Sequence, residues 1–498
     1  MDEVQQQAEG VSYAPSPPEE FCGRQEERER LTVLLSQAGE RGQVVMISGP
    51  PGIGKSSLLS WLAYEVQERP GGLRSPALKG EVFDLPGMIF SAFRDLLKDL
   101  RRHTASTRFG ETLGVERIKE AVRYADDVLE KYVAPVEPVG LLSKSGEEII
   151  GIFARSPEVG YDRVCQAFLE LLQELGRLMS GTGRIGTILL DDVHLASSLD
   201  RRLLLDIMRD LPPGIILAFT CRAEDGACPG YPAMQEELRD LGFSEVRLSG
   251  MRGDEIREMA ERRFDLFVSE AAADLLEGTS GDPFSLMACF NALSRRGLDP
   301  SPENIATILA GAKSPAEIAF AGLTGSGRTW AKELSILSPP FPVPVVACML
   351  GLQGTSATDR LRESSVFRRL PGGEYAFAHP LLQEHCRREL PADARAALNA
   401  RAADCFERSM HRLPGRLHTL LSLACHFFHA REYGKAADLN LELGLRFYHR
   451  EDYDTALVLT ERAITAAGHL ADDTLLAAAE QQRDLVRQKV SGPGRAGR

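Results

Sequence analysis

The stretch QVVMISGPPGIGKSSLLSWLA (residues 43–63) decides the fold of this chain. It joins an apolar, β-rich run to a loop of glycine and proline, and that loop to an amphipathic helix. Gly49, Gly54, Lys55 and Ser56 satisfy the pattern G-x-x-x-x-G-K-[ST] in this strand–loop–helix context. An ordinary glycine-rich turn is the alternative, but the flanking strand and helix favour a phosphate-binding loop. The stretch therefore predicts an α/β P-loop NTPase fold with a parallel sheet.

The loop is expected to bind the phosphates of ATP or ADP. Its glycines let consecutive backbone N–H groups converge on phosphate oxygens, and the N-terminus of the next helix adds positive potential. Lys55 would reach the β and γ phosphates, and the Ser56 hydroxyl would ligate Mg²⁺. The predicted nucleotide-binding residues of the loop are Gly49, Pro50, Pro51, Gly52, Ile53, Gly54, Lys55, Ser56 and Ser57.

A second part of the site is predicted in GTILLDDVHLAS (residues 186–197). Its apolar run ends in Asp191 and Asp192, which is typical of a buried parallel strand that opens at its carboxyl end. Asp191 would orient Mg²⁺ through water, and Asp192 would polarise the attacking water. The alternative is an acidic cap on the following helix. The upstream P-loop favours the catalytic interpretation.

A third buried strand, GIILAFTCRAED (residues 214–225), leads into Arg222. A guanidinium at this strand end can bind the γ-phosphate through charge-assisted hydrogen bonds that ADP does not offer. A surface arginine after a strand is an equally simple interpretation. Arg239 is a further alternative, because it could lie on a subunit face and reach the nucleotide of a neighbouring copy.

Composition restricts the class of protein. The chain has 498 residues, a formal net charge of −13, 43% hydrophobic and 26% charged residues, which indicates a globular protein of several domains. The negative charge argues against general attraction to nucleic acid or acidic membranes. The chain has neither a signal-peptide pattern nor an apolar run long enough to span a bilayer. Nine scattered cysteines without a C-x-x-C pair predict reduced thiols and a cytoplasmic location.

The N-terminal motif FCGRQEE (residues 21–27), together with the P-loop and LLDDVHLAS, resembles a known family. The chain is similar, over roughly residues 21–470, to the AAA-related ATPases that include the STAND signalling ATPases and the origin-recognition replication initiators. The resemblance implies that Phe21, Gly23 and Arg24 line the adenine side of the site. Leu195 replaces a tryptophan, and Ser197 an aspartate, that many relatives carry, which weakens assignment to a subgroup.

Downstream, residues 251–322 are expected to form a small helical lid. GDPF (residues 281–284) is similar to the Gly-x-Pro turn of the family, and the resemblance implies that Pro283 packs by the adenine. Proline offers a rigid apolar face, because its ring fixes φ. A plain turn between two helices is the alternative.

Residues 323–390 read as helices followed by a strand pair around LPGGEYAF (residues 370–377), which predicts a winged helix with a Gly372–Gly373 turn. In STAND proteins a histidine of the winged helix touches the β-phosphate of ADP and holds the protein closed. FAHPLLQEH (residues 377–385) resembles that element, which implies this role for His379. A buried histidine, or a cap on the helix that starts at Pro380, is the alternative.

The winged helix could instead bind DNA. Its predicted third helix, SATDRLRESSVFRRL (residues 356–370), carries Arg360, Arg362, Arg368 and Arg369 beside acidic residues. Surfaces that follow phosphates are usually more one-sided in charge, so a solvated helix is preferred.

The C-terminal region is Ala-rich and helical. REYGKAA (residues 431–437) and EDYDTAL (residues 451–457) place Tyr433 and Tyr453 at similar turns, which resembles tetratricopeptide packing, although the spacing is shorter than in that repeat. Such helices bind protein partners, and a helical cap on the winged helix is the alternative. His426 and His429 are interpreted as packing or surface residues rather than metal ligands.

The predicted architecture is a P-loop ATPase core of the AAA/STAND type, a helical lid, a winged helix and an all-α repeat-like domain. Its segments are a disordered N-terminus 1–20, the core 21–250 with an insertion at about 100–160, the lid 251–322, the winged helix 323–390, the helices 391–486 and a flexible tail 487–498. The expected function is a slowly hydrolysing ATP/ADP switch that binds a protein partner, with an ATP-dependent homo-oligomer left open. A DNA-binding ATPase and a scaffold without turnover are the alternatives.

Overall fold

The computed structural model describes residues 21–67, 76–82, 90–105, 115–133, 159–222, 236, 238, 241–279, 281–352, 356–364, 366–370, 373–413 and 416–491. The predictions of a disordered N-terminus at 1–20, of the Gly372 half of the turn and of a role for Arg239 lie outside the described residues. Residues 106–114 and 134–158 of the predicted insertion lie outside them as well, as do residues 492–498 of the predicted tail.

A five-stranded sheet forms the centre of the N-terminal region. Its strands are β1 (Gln43–Ser48), β2 (Ala77–Glu81), β3 (Gly186–Asp191), β4 (Ile215–Cys221) and β5 (Ser244–Arg247). The strand order is β2-β3-β4-β1-β5, and β1 pairs in parallel with β4 and β5, as β3 does with β4. β4 is buried along its whole length, as its continuous apolar sequence predicts for a strand covered on both faces. The predicted parallel sheet is confirmed.

The register of the sheet brings three strand ends to one edge. Ser48 of β1 pairs with Cys221 of β4, and Leu190 of β3 pairs with Phe219. Because the strands are parallel, the loops that follow them leave the sheet on the same side. These loops begin with the P-loop, the Asp191–Asp192 pair and Arg222.

The helices before about residue 250 belong partly to the first and partly to the second of the two compact units described below. They are α1 (Gln25–Gln37), α2 (Lys55–Gln67), α3 (Ser91–Ala105), α4 (Val115–Val133), α5 (Tyr161–Thr182) and α6 (Ser198–Arg209). Leu31 of α1 and Leu58 and Leu62 of α2 are fully buried in one cluster with Val45 and Ile47 of β1. This apolar contact holds the start of α2, and therefore the P-loop, against the sheet.

The segment predicted as a lid is helical. It contains α7 (Gly253–Phe264), α8 (Glu270–Thr279), α9 (Pro283–Arg296), α10 (Pro302–Ala310) and α11 (Pro315–Ala321). Asp282 caps α9, because its side chain accepts a hydrogen bond from the Ser285 backbone N–H at 2.8 Å, and Pro283 occupies the first turn. The Gly-x-Pro sequence is thus a helix start between two helices.

Further helices and a hairpin follow. They are α12 (Gly325–Leu334), α13 (Val343–Met349), α14 (Ser356–Glu363), the strands β6 (Phe367–Arg369) and β7 (Tyr375–Phe377), and α15 (Pro380–Arg388). This is the element order expected of a winged helix. The prediction of one helix through residue 370 is wrong, because Arg368 and Arg369 lie on β6. Phe367 pairs across the hairpin with Phe377, and their rings pack 5.0 Å apart, which favours strand over helix here.

The C-terminal helices are α16 (Ala392–Ser409), α17 (Arg416–His429), α18 (Tyr433–His449), α19 (Tyr453–Leu470) and α20 (Asp473–Ser491). Helices α18 and α19 start at the two tyrosines singled out in the sequence, and Ala436 and Ala456 are fully buried. Helix α20 continues to Ser491, past residue 487 at which the tail was predicted to start. His426 is buried with its Nδ1 2.8 Å from Asn399 Oδ1, as a packing role predicts.

The contacts divide the chain into two compact units. The first comprises residues 1–79, 179–194 and 212–391, and the second comprises 80–178, 195–211 and 392–498. The whole candidate nucleotide site falls in the first unit. The helices of the insertion share the second unit with the C-terminal helices, which a division into consecutive domains did not anticipate.

Two sequence-based expectations concern the environment of the protein. Among the described residues, none of the helices has the length and apolar character needed to cross a bilayer. Cys22, Cys165, Cys221, Cys289, Cys386 and Cys425 carry free thiols. The expectation of reduced cysteines is wrong for Cys348 and Cys405, which are disulfide-bonded.

Candidate nucleotide-binding site

The P-loop has the backbone geometry of a phosphate cradle. Gly49, Gly52 and Gly54 have φ values of 151°, 86° and 97°, a region that residues with a Cβ rarely adopt. A Cβ on Gly52 would lie 3.2 Å from Asp282 Oδ1 and 3.3 Å from Phe284 Cβ, so a side chain there would also be crowded. Helix α2 begins at Lys55, directly after the loop, which turns its free N–H groups toward the cradle.

Lys55 is buried at the centre of the loop. Its Nζ donates hydrogen bonds to the carbonyl oxygens of Gly49, at 2.9 Å, and Pro50, at 2.8 Å. Burial lowers the pKa of this amine. The negative charge of Asp192 opposes that shift, the positive charge of Arg222 adds to it, and Asp191 opposes it again. The ammonium group therefore lies among charged side chains, where it can bind the negative charge of a polyphosphate.

The remaining loop residues complete the cradle. Ile53 is buried, whereas Pro50, Pro51, Ser56 and Ser57 are partly exposed. Ser56 and Ser57 lie in the first turn of α2. The Ser56 hydroxyl is thus at the helix start, the position that a P-loop uses to ligate Mg²⁺.

Asp191 ends β3, and Asp192 adopts a left-handed conformation with φ 54° directly after it. The backbone N–H of Asp192 donates to Thr220 Oγ1 at 2.8 Å, and the Thr220 hydroxyl donates to Asp191 Oδ1. Thr220 was not singled out in the sequence. Its signal there is a lone polar residue near the end of the apolar strand β4. The structure therefore brings the two aspartates together on one side of a hydroxyl that orients both.

His194 is a second residue that sequence reasoning left without a role. Its side chain is only 1% exposed, and Nδ1 lies 3.7 Å from Asp192 Oδ1, beyond hydrogen-bond distance. Neither ring nitrogen has a hydrogen-bond partner within the described part of the chain. Burial lowers the pKa of His194 to about 3, with further contributions from the positive charges of Arg222 and Lys55. The imidazole beside Asp192 is therefore neutral at physiological pH.

Arg222 follows β4 directly and is partly exposed. Its positive charge contributes to the lowered pKa of Lys55, His194 and His379, so it lies near all three. An arginine placed in this way adds to a positive field at the carboxyl edge of the sheet.

The N-terminal motif reaches the P-loop through Arg24. Its Nη2 donates to the Ile53 carbonyl oxygen at 3.1 Å. Phe21 of the same motif packs on Trp61 of α2, with ring centroids 6.3 Å apart. Two glutamates of the lid helix α7 hold the backbone of this motif. Glu255 accepts from the Arg24 N–H, and Glu258 accepts from the Gly23 N–H at 3.1 Å.

Those two glutamates were not predicted as part of the site. A Cβ on Gly23 would lie 2.7 Å from Glu255 Oε1, and Gly23 has a φ of 66°, so the contact requires glycine. The lid and the N-terminal motif are thus joined by charge-assisted hydrogen bonds, which are stronger than neutral ones.

The Gly-x-Pro turn also meets the P-loop. Pro283 Cγ lies 3.6 Å from the position of a Cβ on Gly54, and the Phe284 N–H donates to the Gly52 carbonyl oxygen at 3.4 Å. Pro283 therefore lies against the loop and also starts a helix, while its packing by the adenine stays a prediction. The two interpretations of this turn are compatible.

His379 is likewise both a helix cap and a neighbour of the P-loop. Its Nδ1 accepts a hydrogen bond from the Leu381 N–H at 3.3 Å at the start of α15. Because Nδ1 accepts, the neutral ring carries its proton on Nε2. That Nε2 lies 3.8 Å from the position of a Cβ on Gly52. Burial lowers the pKa of His379 to about 3, with Arg222, Lys55 and Arg368 contributing.

Comparison with known proteins agrees with this geometry. Residues 20–218 match the family described as AAA ATPase domain. That region contains the P-loop, the Asp191–Asp192 pair and most of β4. The chain therefore combines a region that matches the AAA ATPase domain, a parallel five-stranded sheet and a large helical C-terminal region.

Individual relatives are similar over shorter stretches. The chain is 29% identical over 122 residues to the Holliday junction branch migration complex subunit RuvB of Corynebacterium diphtheriae, covering 24% of this chain and 29% of that protein. It is 32% identical over 128 residues to the same subunit of Parafrankia sp., covering 25% of this chain and 32% of that protein. The chain thus spans about a third or less of these relatives.

A solved structure is similar along most of the chain. It is a Signal Transduction ATPase with Numerous Domains (STAND) protein with a tetratricopeptide repeat sensor from Pyrococcus horikoshii. The match covers 96% of this chain and 66% of that one, at 14% identity and a TM-score of 0.47.

Proposed function

We propose that this protein is a STAND-like molecular switch that binds ATP, hydrolyses it slowly and couples its nucleotide state to domain opening. The observation that carries the proposal is the approach of His379 Nε2 to within 3.8 Å of the Gly52 Cβ position. A side chain that reaches the phosphate loop from another element makes the position of that element depend on the nucleotide. In this proposal ADP holds α15 and its hairpin closed, and ATP releases them.

The residues of the loop fit a nucleotide with Mg²⁺. The positive-φ glycines leave room for phosphate oxygens, and Lys55 donates to loop carbonyls that phosphates can replace. The Ser56 hydroxyl and the Asp191 carboxylate are the groups that would hold Mg²⁺, which neutralises charge on the phosphates when bound. Phe21, Gly23, Arg24 and Pro283 form the adenine side.

Hydrolysis is assigned to the edge of the sheet. The Asp192 carboxylate accepts a proton from the attacking water, and the buried ring of His194 lies 3.7 Å from that carboxylate. Lys55 and Arg222 stabilise negative charge on the phosphates. Slow turnover suits a switch, because the reaction resets a state instead of driving a motor.

The C-terminal helices are the proposed binding surface for a protein partner in the cytoplasm. Helical arrays with small residues at their crossings, such as Ala436 and Ala456, present grooves to proteins. Assembly into a homo-oligomer with ATP bound would follow from opening.

DNA binding by the hairpin region is the alternative to a protein switch. Exposed Arg360 and Arg362 share α14 with exposed Asp359, and Arg368 and Arg369 lie on β6 instead of that helix. No basic face is therefore collected on one helix in the described part of this region. Salt-sensitive binding of duplex DNA at low micromolar protein would favour the alternative.

The test of the switch is to denature freshly purified protein and identify the nucleotide released. We expect near-stoichiometric ADP from the wild type and much less from His379→Ala. His385→Ala is the matched control, because His385 lies on the same helix and packs on Phe320, 5.3 Å away, instead of the P-loop. Equal ADP in wild type and His379→Ala would contradict the proposal.

A further inference from the structure

Phe284 connects the lid to His379. Its ring is 3% exposed and stacks on the imidazole with centroids 3.9 Å apart and an interplanar angle of 16°. Phe284 belongs to α9 of the lid, whereas His379 caps α15. The stack therefore joins two elements that are far apart in the chain.

Phe284 also touches the P-loop. Its N–H donates to the Gly52 carbonyl oxygen at 3.4 Å, and its Cβ is 3.3 Å from the position of a Cβ on Gly52. One residue of the lid thus contacts both the loop that binds phosphate and the histidine that approaches that loop.

Two contacts together determine the orientation of the imidazole. The Leu381 N–H binds Nδ1, which assigns the proton to Nε2 and fixes one edge of the ring. The Phe284 ring covers one face and limits rotation about the remaining torsion. With both in place, the Nε2–H points toward the Gly52 side of the ring.

We propose that Phe284 is a positioning residue that makes the engagement of ADP by His379 depend on the position of the lid. This inference rests on the proposed function. When the lid moves, the stack is lost and the imidazole is free to rotate, so the lid and α15 hold or release ADP together. The residue acts through His379, because its own side chain has no group that can hydrogen-bond a phosphate.

The test is a double-mutant cycle with Phe284→Leu, His379→Ala and the double variant. The dissociation constants for ADP and for a non-hydrolysable ATP analogue are measured for each. We expect Phe284→Leu to weaken ADP binding roughly three- to tenfold, the range that an aromatic pair contributes, with little effect on the analogue. In the His379→Ala background the same substitution should leave ADP binding unchanged.

Phe290→Leu is the matched control. Phe290 lies on the same helix, is fully buried and packs on Phe264 at 5.3 Å, away from His379. Its substitution should not change the ratio of ADP to analogue affinity. If Phe284→Leu does not fold, Phe284→Met removes the ring with an unbranched apolar side chain.

The two possible failures are distinguishable. Equal weakening of ADP binding by Phe284→Leu in both backgrounds, or equal weakening of ADP and analogue binding, would overturn the positioning role and leave the proposed contact of His379 with ADP standing. Unchanged ADP affinity in His379→Ala would overturn that contact and the role of Phe284 with it.

Discussion

The Thr220 hydroxyl oxygen accepts the backbone N–H of Asp192 across 2.8 Å, linking the end of β4 to the turn after β3. The same hydroxyl donates to Asp191 Oδ1. Asp192 has a φ of 54°, a conformation that costs about 1 kcal/mol or more for a residue with a Cβ. The Asp191 carboxylate accepts the same N–H at 3.2 Å, so the hydroxyl, the carboxylate and this amide form one hydrogen-bonded group.

Thr220→Val removes the hydroxyl and keeps the shape of the side chain. We expect the concentration of Mg²⁺ needed for half-maximal ATPase activity to rise and kcat to fall about tenfold, because Asp191 and Asp192 lose their common anchor. Thr220→Ser should restore near wild-type values. Thr187→Val on β3 is the matched control, since the Thr187 hydroxyl is buried without a hydrogen-bond partner in the described structure. Unchanged Mg²⁺ dependence in Thr220→Val would contradict this prediction.

Asp192→Asn should separate hydrolysis from binding. The amide keeps the shape of the carboxylate but cannot accept the proton of water, so we expect kcat to fall by about a hundredfold or more. The affinity for ATP, measured by fluorescence titration, should stay within about twofold of wild type. Asp191→Asn should instead weaken binding in the presence of Mg²⁺ and leave binding in excess chelator unchanged. Unimpaired turnover in Asp192→Asn would exclude this residue as the general base.

Gly52→Ala should disrupt the point where three elements meet. Gly52 has a φ of 86°, and its added methyl would lie 3.2 Å from Asp282 Oδ1. We expect nucleotide affinity to fall about tenfold or more, because the loop must shift or the lid must move away. Gly434→Ala is the control: that glycine lies in α18 with open space at its Cβ position and should tolerate alanine. Wild-type affinity in Gly52→Ala would mean that the lid does not press on the loop.

The stability of the second unit should depend on pH through Asp200. This carboxyl group is buried, and burial raises its pKa to about 7 from an ordinary 3.8, while Ser197 and the Phe90 N–H hydrogen-bond to it. Between these two values the folded state holds a proton that the unfolded state has released. The contribution of this group to the free energy of unfolding is therefore complete below the ordinary pKa of 3.8 and is lost as the pH rises through about 7.

Asp200→Asn removes that titration. We expect the melting temperature of the variant minus that of the wild type to be several degrees higher at about pH 8 than at about pH 5. The comparison at two pH values cancels any constant effect of the amide on packing. A difference that does not change with pH would show that Asp200 is ionised in the folded protein throughout.

Local pattern was enough to predict where much of the candidate site lies in the fold. The P-loop residues from Gly49 to Ser57, Asp191 and Asp192 follow from strand–loop–helix order, because backbone phosphate binding demands glycine and a helix start at fixed spacing. The carboxyl edge of a parallel sheet then collects the groups that end its strands. Arg222 was a prediction of the same kind.

The residues that sequence reasoning missed act at long range. Glu255 and Glu258 bind the backbone of Gly23 and Arg24 more than two hundred residues earlier in the chain. Their spacing on α7 looks like an ordinary polar helix face, so nothing local marks them. The predicted end of the third helix was wrong for a related reason, because Phe367 takes its strand conformation from pairing with Phe377.

The amino-acid sequence by itself determined the sheet, its nucleotide loop and the acidic pair, because these depend on residue types at short, fixed separations. Only the tertiary structure decided that Phe284, Gly52 and His379 meet. They come from three elements, and their contact depends on stacking at 3.9 Å and on a glycine that leaves space for it. Residues close together in the sequence determine the local conformation, whereas the packing of the elements determines which distant side chains meet.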